Sequence, residues 1–423
     1  MFKKFIPSSD FGRNVLILMT GTTVAQAIPI AISPILTRIY TPEDFGIFAL
    51  FFAIISIFGS IANGRYELAI MLPQKDEDAI NIFALGFIIT VLLSLFLLII
   101  ILIFHNNIVN YLDNEKIGIW LYFVPFAVFF VGLFNILNYY NTRKKEYKSL
   151  ANAKVIKSII LAVTQLSIGF IKQGAMGLIT GQILSQFFAN MRLFKNIIKN
   201  KTLLSHISKE NIIKQAKRYK DFPKFSLWGV FANTLSVQFT NILISSFYSV
   251  ATLGFYSLVQ KILGMPSALI GGSIGQVFFQ EASESKQKYG EASSIFKRTV
   301  KKLFFIGTIA FGLLYFIVED LFAFVFSEEW RIAGIYAQIV IPFFFIRFVS
   351  ASVSTIYDIF DGLKIELIWQ VFLMIGIIII LYIFKDSEFK TFLTYMTFYG
   401  MAMYLLSLYL TFQLAKGTYY NGK

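Results

Sequence analysis

The sequence has no cysteine, two histidines in 423 residues, and only 15% charged residues. Without cysteine there are no disulfide staples, thiolate metal ligands or cysteine nucleophiles. His105 and His206 both fall in predicted loops, so neither a paired-histidine metal site nor a nucleophile–histidine–acid triad has a candidate. There is no G-x-x-x-x-G-K-[ST] stretch, which excludes an ATPase built on that phosphate-binding loop. The acidic residues are scattered, and no predicted extracytoplasmic loop is long enough to hold a catalytic domain. An enzyme is therefore not expected, nor is a metal or cofactor.

What fills the chain is hydrocarbon. Hydrophobic residues make up 57% and mean hydropathy is +0.68, whereas a soluble domain carries about 25% charged residues. The apolar residues fall into blocks long enough to cross a bilayer, for which about 20 residues suffice. Twelve spans are predicted: 14–39, 45–71, 80–104, 117–140, 150–171, 174–194, 224–248, 252–278, 303–326, 333–357, 365–384 and 389–412. The fold class predicted is an all-α integral membrane protein with about 12 transmembrane helices.

The net charge of +14 follows this topology. With the N-terminus placed inside, 27 of the 38 Lys and Arg residues fall in inside segments, among them Lys3, Lys4, Arg143, Lys297, Lys301 and Lys423. Six fall outside: Arg38, Lys116, Lys172, Arg331, Lys385 and Lys390. Cytoplasmic loops of membrane proteins carry such an excess, so both termini are expected in the cytoplasm. The positive charge then needs no nucleic-acid partner. Ala25-Gln26-Ala27 resembles a signal-peptidase site, but Thr20 to Thr23 interrupt the apolar run before it and the run continues to Ile39, so an uncleaved first span is expected.

The longest inside loop, 195–223, divides the chain into predicted bundles 1–194 and 224–423. Within the loop Ser208 can cap a helix that places Ile212, Ile213, Ala216 and Tyr219 on one face. Such a helix would lie on the inner leaflet, while a solvated linker is the equal alternative. At an offset of 208, Ile35, Tyr40, Gly46, Phe48 and Leu50 match Leu243, Tyr248, Gly254, Tyr256 and Leu258. Both stretches run from an odd-numbered span into the next, which predicts two parallel six-helix halves.

Charges inside spans cost about 2.5–3.5 kcal/mol at a helix centre, so each needs a reason. Arg347 lies near the middle of span ten and cannot easily snorkel to water. Lys261 lies inside span eight beside Gln260. Lys154 and Lys157 share a helical face in span five, near its inner end. Arg65 and Glu67 stand in span two; on a helix, residues two apart diverge, so they are expected to be poor partners for each other. Glu67 remains a candidate for ion pairing or ion coupling. Pro29 and Pro34 in span one and Pro266 in span eight are candidate kinks or gates.

The stretch 36–82, LTRIYTPEDFGIFALFFAIISIFGSIANGRYELAIMLPQKDEDAINI, resembles the N-terminal hallmark of bacterial polysaccharide-biosynthesis flippases. These belong to the multidrug/oligosaccharidyl-lipid/polysaccharide exporter superfamily. The stretch 219–282 resembles the start of that family's second half. The resemblance implies two bundles around a central, often cationic cavity. It implies alternating-access flipping of an undecaprenyl-diphosphate-linked oligosaccharide, an O-antigen or capsule repeat unit, across the bacterial inner membrane. The cavity candidates under it are Arg65, Lys154, Lys261 and Arg347. The implied partners are the lipid-linked glycan, membrane lipid, and a polysaccharide polymerase and glycosyltransferases of the same pathway. The competing reading within the superfamily is a multidrug-type cation-coupled exporter, which would want acidic rather than basic residues in its spans.

The charge asymmetry makes a direct prediction. Alkaline phosphatase fused after Lys423 or within 195–223 should be inactive and a fluorescent protein at the same points bright, with the opposite pattern for fusions near Lys385.

Overall fold

A long apolar run in hydrocarbon must satisfy its own backbone donors and acceptors, which an α-helix does within a single segment. The computed structural model describes residues 10–112, 114–171, 174–199 and 201–417; Lys3, Lys4, Lys172 and Lys423 lie outside the described residues. Every regular element among the described residues is helical. In chain order the helices are α1 (Asp10–Ala31), α2 (Ser33–Ile39), α3 (Pro42–Gly59), α4 (Tyr66–Ala69), α5 (Asp76–Leu112) and α6 (Gly118–Leu121). There follow α7 (Val124–Arg143), α8 (Tyr147–Ile171), α9 (Met176–Ile198), α10 (Lys201–Leu204), α11 (Lys209–Arg218) and α12 (Leu227–Phe247). The remainder are α13 (Val250–Pro266), α14 (Gly272–Tyr289), α15 (Ser293–Phe326), α16 (Arg331–Val353), α17 (Ile356–Ile359), α18 (Leu363–Ile383) and α19 (Phe389–Ala415).

Ten stretches among the described residues are long and apolar enough to cross a membrane. The two other predicted spans correspond to α9 and to the α13–α14 pair. α9 buries Ser185, Gln186 and Asn190 among its apolar residues, which lowers its hydropathy. The other is divided: α13 stops at Pro266, a π-helical turn covers Ser267–Gly271, and α14 continues from there. Proline lacks the amide the helix needs at that point, and a wider turn is a usual consequence.

The chain forms two compact units, Met1–Ile242 and Leu243–Lys423. In the first, α8 packs between α1 and α9, and α7 lies against α5 and α9. Its core joins Ile80, Phe83, Ile136, Tyr140 and Leu193. In the second, α16 is the buried centre, flanked by α13, α15 and α19.

The second predicted span does not run to 71 as one helix. α3 ends at Gly59, a turn follows, and Gly64 and Arg65 both take left-handed backbone conformations (φ 61° and 65°). Irregular backbone within a membrane protein has to be bonded internally. Backbone bonds within the turn do part of this, such as the Gly64 amide to the Ile61 carbonyl at 2.9 Å. Buried Asn63 anchors the turn to α5 and α7: its Nδ2 donates to Thr90 Oγ1 at 2.7 Å and to the Gly132 carbonyl at 3.0 Å. Thr90 Oγ1 in turn donates to the Ala62 carbonyl at 3.1 Å. Close approach here needs Gly132, because a Cβ at that position would come 2.6 Å from Thr90 Cγ2 and 2.8 Å from Ala62 Cβ.

The helix expected in the 195–223 loop is present as α11, capped by Ser208, whose Oγ accepts from the Asn211 amide. It packs on α5 of its own unit. Gln215 Nε2 donates to Asp78 Oδ1 at 2.6 Å, Asn81 bridges the Ser208 amide and the His206 carbonyl, and Tyr66 donates to the Ala216 carbonyl at 3.1 Å. The inward face is therefore Ile212, Gln215, Ala216 and Tyr219, and Ile213 is turned outward. These bonds to polar groups on α4 and α5 set the rotation, which apolar periodicity alone misplaced by including Ile213.

The 208-residue repeat has a structural counterpart inside each unit. Tyr40 closes α2 and donates to the Gln165 carbonyl at 2.6 Å; Tyr248 closes α12 and donates to the Phe384 carbonyl at 2.6 Å. The next residues, Thr41 and Ser249, cap α3 and α13 by accepting from the amides of Asp44 and Thr252. Each is the N-cap chemistry that satisfies otherwise orphaned helix donors.

Asn63→Ala removes two bonds in a dry interior and should destabilise the chain by about 1–3 kcal/mol. A lowered unfolding temperature in detergent, larger than that of an exposed control such as Asn106→Ala, checks it.

Candidate functional site

In the first unit the break after α3 positions Arg65. Because Arg65 precedes α4 in a left-handed conformation and is not a turn of helix, its side chain can swing toward Glu67. Nη1 donates to Glu67 Oε1 at 3.1 Å, with 19% and 5% of the two side chains exposed. The expectation that the two residues diverge is overturned, since it assumed helical spacing through 65–67. Asn63-Gly64 is a turn dipeptide and was the available signal.

Arg65 Nε also donates to Ser226 Oγ at 3.3 Å, at the end of the π-helical turn Phe222–Ser226 that leads into α12. Glu67 Oε2 is buried and has no hydrogen-bond partner among the described residues. Tyr139 on α7 lies within electrostatic reach of both Glu67 and Arg65. Neither Ser226 nor Tyr139 was singled out by sequence, because neither is charged and their partners are remote in the chain.

The lysines of α8 lie on one side of that helix. Lys154 Nζ donates to Thr22 Oγ1 at 3.1 Å, which ties α8 to α1. Lys157 sits over the Phe134 ring at 5.4 Å, a contact that exchanges water for the ring's negative face. A nearby triad is structural: Arg143 donates to Asp76 Oδ1 at 3.0 Å and to the Ile70 carbonyl at 3.2 Å, and Lys144 pairs with the same carboxylate. At this end of α5, outside its apolar stretch, the Lys144 hydrogen bond leads the interactions that hold the Asp76 carboxyl below its ordinary pKa.

In the second unit Lys261 on α13 and Arg347 on α16 are both exposed. Arg347 lies over the Phe344 ring at 5.8 Å, and its charge and the Gln260 side chain both act on the Tyr256 hydroxyl. Tyr256 also donates to Met396 Sδ at 3.7 Å. Gln260 thus hydrogen-bonds Tyr256, whose hydroxyl lies within electrostatic reach of Arg347. The candidate hinge prolines all sit at interruptions. Pro29 lies in the last turn of α1, Pro34 in the first turn of α2, and Pro266 at the end of α13. Among the described residues no cluster of His, Asp and Glu suited to a metal ion occurs.

Lys154, Lys157, Lys261 and Arg347 belong to apolar helices and Arg65 to the left-handed turn after α3; hydroxyls or rings support Arg65, Lys154, Lys157 and Arg347. A family model described as polysaccharide biosynthesis protein matches residues 35–333. The chain belongs to that family. No curated protein matches it significantly. Among solved structures it is similar to an inward-facing multidrug resistance MATE transporter of the MOP superfamily, with 14% identity, 96% of each chain covered and a TM-score of 0.73. It is also similar to the lipid II flippase MurJ in an inward closed conformation, at 13% identity, with 94% of this chain and 87% of that one covered and a TM-score of 0.69. A Vibrio cholerae MATE transporter matches at 10% identity, 95% coverage of each chain and a TM-score of 0.61. The fold is that of the multidrug/oligosaccharidyl-lipid/polysaccharide exporter superfamily, and the protein is a multi-pass membrane protein.

Removing one partner of a buried ion pair leaves an uncompensated charge and costs about 3–5 kcal/mol. Arg65→Gln alone should therefore lower the unfolding temperature clearly, and the double variant Arg65→Gln/Glu67→Gln should recover most of the loss.

Proposed function

We propose that the protein flips an undecaprenyl-diphosphate-linked oligosaccharide, an O-antigen or capsule repeat unit, from the inner to the outer leaflet of the bacterial inner membrane by alternating access. The observation that carries this reading is the set of basic residues among apolar segments, Lys154, Lys261 and Arg347 on helices and Arg65 in the turn after α3, in a polysaccharide-biosynthesis chain with an exporter fold. A diphosphate cannot enter hydrocarbon bare, and guanidinium or ammonium groups replace its water with charge-assisted hydrogen bonds. The inside-negative potential favours outward movement of an anion by about 2.3 kcal/mol per charge per 100 mV. Lys261 and Arg347 are the residues that touch the diphosphate, and the breaks at Pro29, Pro34 and Pro266 are where the helices bend between states.

The ion pairing of Glu67 argues against the multidrug alternative. A cationic cargo needs net negative charge in the spans, whereas Glu67 is neutralised by Arg65 beside it and Lys154, Lys157, Lys261 and Arg347 are basic. The test is the appearance of lipid-linked glycan at the outer leaflet in cells whose own flippase is deleted. Lys261→Gln and Arg347→Gln, inserted and folded normally, should abolish it, while Lys261→Arg should retain most of it. Normal export by both glutamine variants would overturn the assignment.

A further inference from the structure

At the cytoplasmic end of the second unit, α15 and α19 meet where the Ala292 amide donates to the Ala415 carbonyl at 2.7 Å. Beside this junction is a cavity of about 360 Å³ lined by Phe296, Lys297, Val300, Lys301, Phe304 and Phe412. Lys297 and Lys301 are one helical turn apart and face the same way. The ring of Phe412 carries two cations, Lys297 at 5.2 Å and Lys416 at 4.6 Å. Cations gathered on one ring repel each other, and an anion among them would relieve that repulsion.

None of the three lysines has a carboxylate partner among the described residues; Glu281 and Asp361, on the same unit, are engaged by Arg298 and Lys286. One turn further into the membrane the surface becomes apolar and stays so, with Phe304, Phe305 and Ile309 all exposed. Positive charge at the headgroup level above exposed hydrocarbon-facing rings is the complement of an amphiphile with an anionic head. We propose that this junction is a binding site for an anionic glycerophospholipid of the inner leaflet. The lysines hold the phosphate, and the acyl chains lie along Phe304 and the apolar face below it. A free phosphate would use the cations but leave the apolar half of the site empty. The site uses none of the residues assigned to glycan transport, so it stands or falls independently of that assignment.

The test titrates the purified full-length chain in a neutral detergent with phosphatidylglycerol or phosphatidylcholine, reading bound lipid by native mass spectrometry. Phosphatidylglycerol should bind more tightly. A hydrogen bond to a charged phosphate is worth about tenfold or more in affinity, so Lys297→Gln/Lys301→Gln/Lys416→Gln should weaken it on the order of a hundredfold. The corresponding triple arginine variant should keep it, which guards against a glutamine variant that fails to fold. Lys302→Gln, on the same helix but outside the cavity, should leave binding unchanged, and inorganic phosphate should displace the lipid poorly. Equal binding of the two lipids, full affinity in the glutamine variant, an equal loss in Lys302→Gln, or complete displacement by inorganic phosphate would each overturn the proposal.

Discussion

The constraint on which the structure depends is that a peptide group in hydrocarbon has no water to bond. Regular helix meets it without help, so the informative places are those where helix stops. At several of them a side chain takes over. Asn63 and Thr90 anchor the turn after α3, Thr41 and Ser249 cap the helices that follow Tyr40 and Tyr248, and Ser33 donates to the Pro29 carbonyl where the first span breaks. Polar residues in the spans are thus divided between those that repair backbone and those left over. The leftover set is where a function can reside.

That division explains what could be read from the chain and what could not. Block length reveals the helical membrane fold, because it follows directly from bilayer thickness. The tyrosine match at 208 was visible as identity, and its hydrogen bonds give it a physical content that identity lacks. The Arg65–Glu67 pair was misread because helical geometry was extended across Asn63-Gly64, where the chain turns. The rotation of α11 was misread because Gln215, a polar residue, is the one fully buried, and apolar periodicity assigns polar residues to the outside.

Arg65 joins several of these strands. Non-glycine residues seldom adopt φ near 65°, and holding one there costs on the order of 1–3 kcal/mol. The cost is met by a bidirectional contact, Glu67 on one side and Ser226 on the other. A cation in apolar surroundings is therefore tethered to the turn that begins α12. Ligand binding that drew Arg65 away from either partner would release backbone strain and the helix-start contact together.

The hydrogen bonds of Tyr40 and Tyr248 also set an order of assembly. Tyr40 is made 125 residues before the carbonyl it bonds, and Tyr248 136 residues before its own. At ribosomal rates of about 5–20 residues per second the first hydroxyl waits roughly 6–25 s for its acceptor. During that interval it has to be kept near the interface or beside the insertion machinery, where water can stand in for Gln165. Each half consequently closes only as its own late helix arrives, and the first can be complete before the second has been synthesised. Biogenesis of this chain is then two successive closures of similar chemistry, each with an exposed phase in which quality control could recognise an unfinished half.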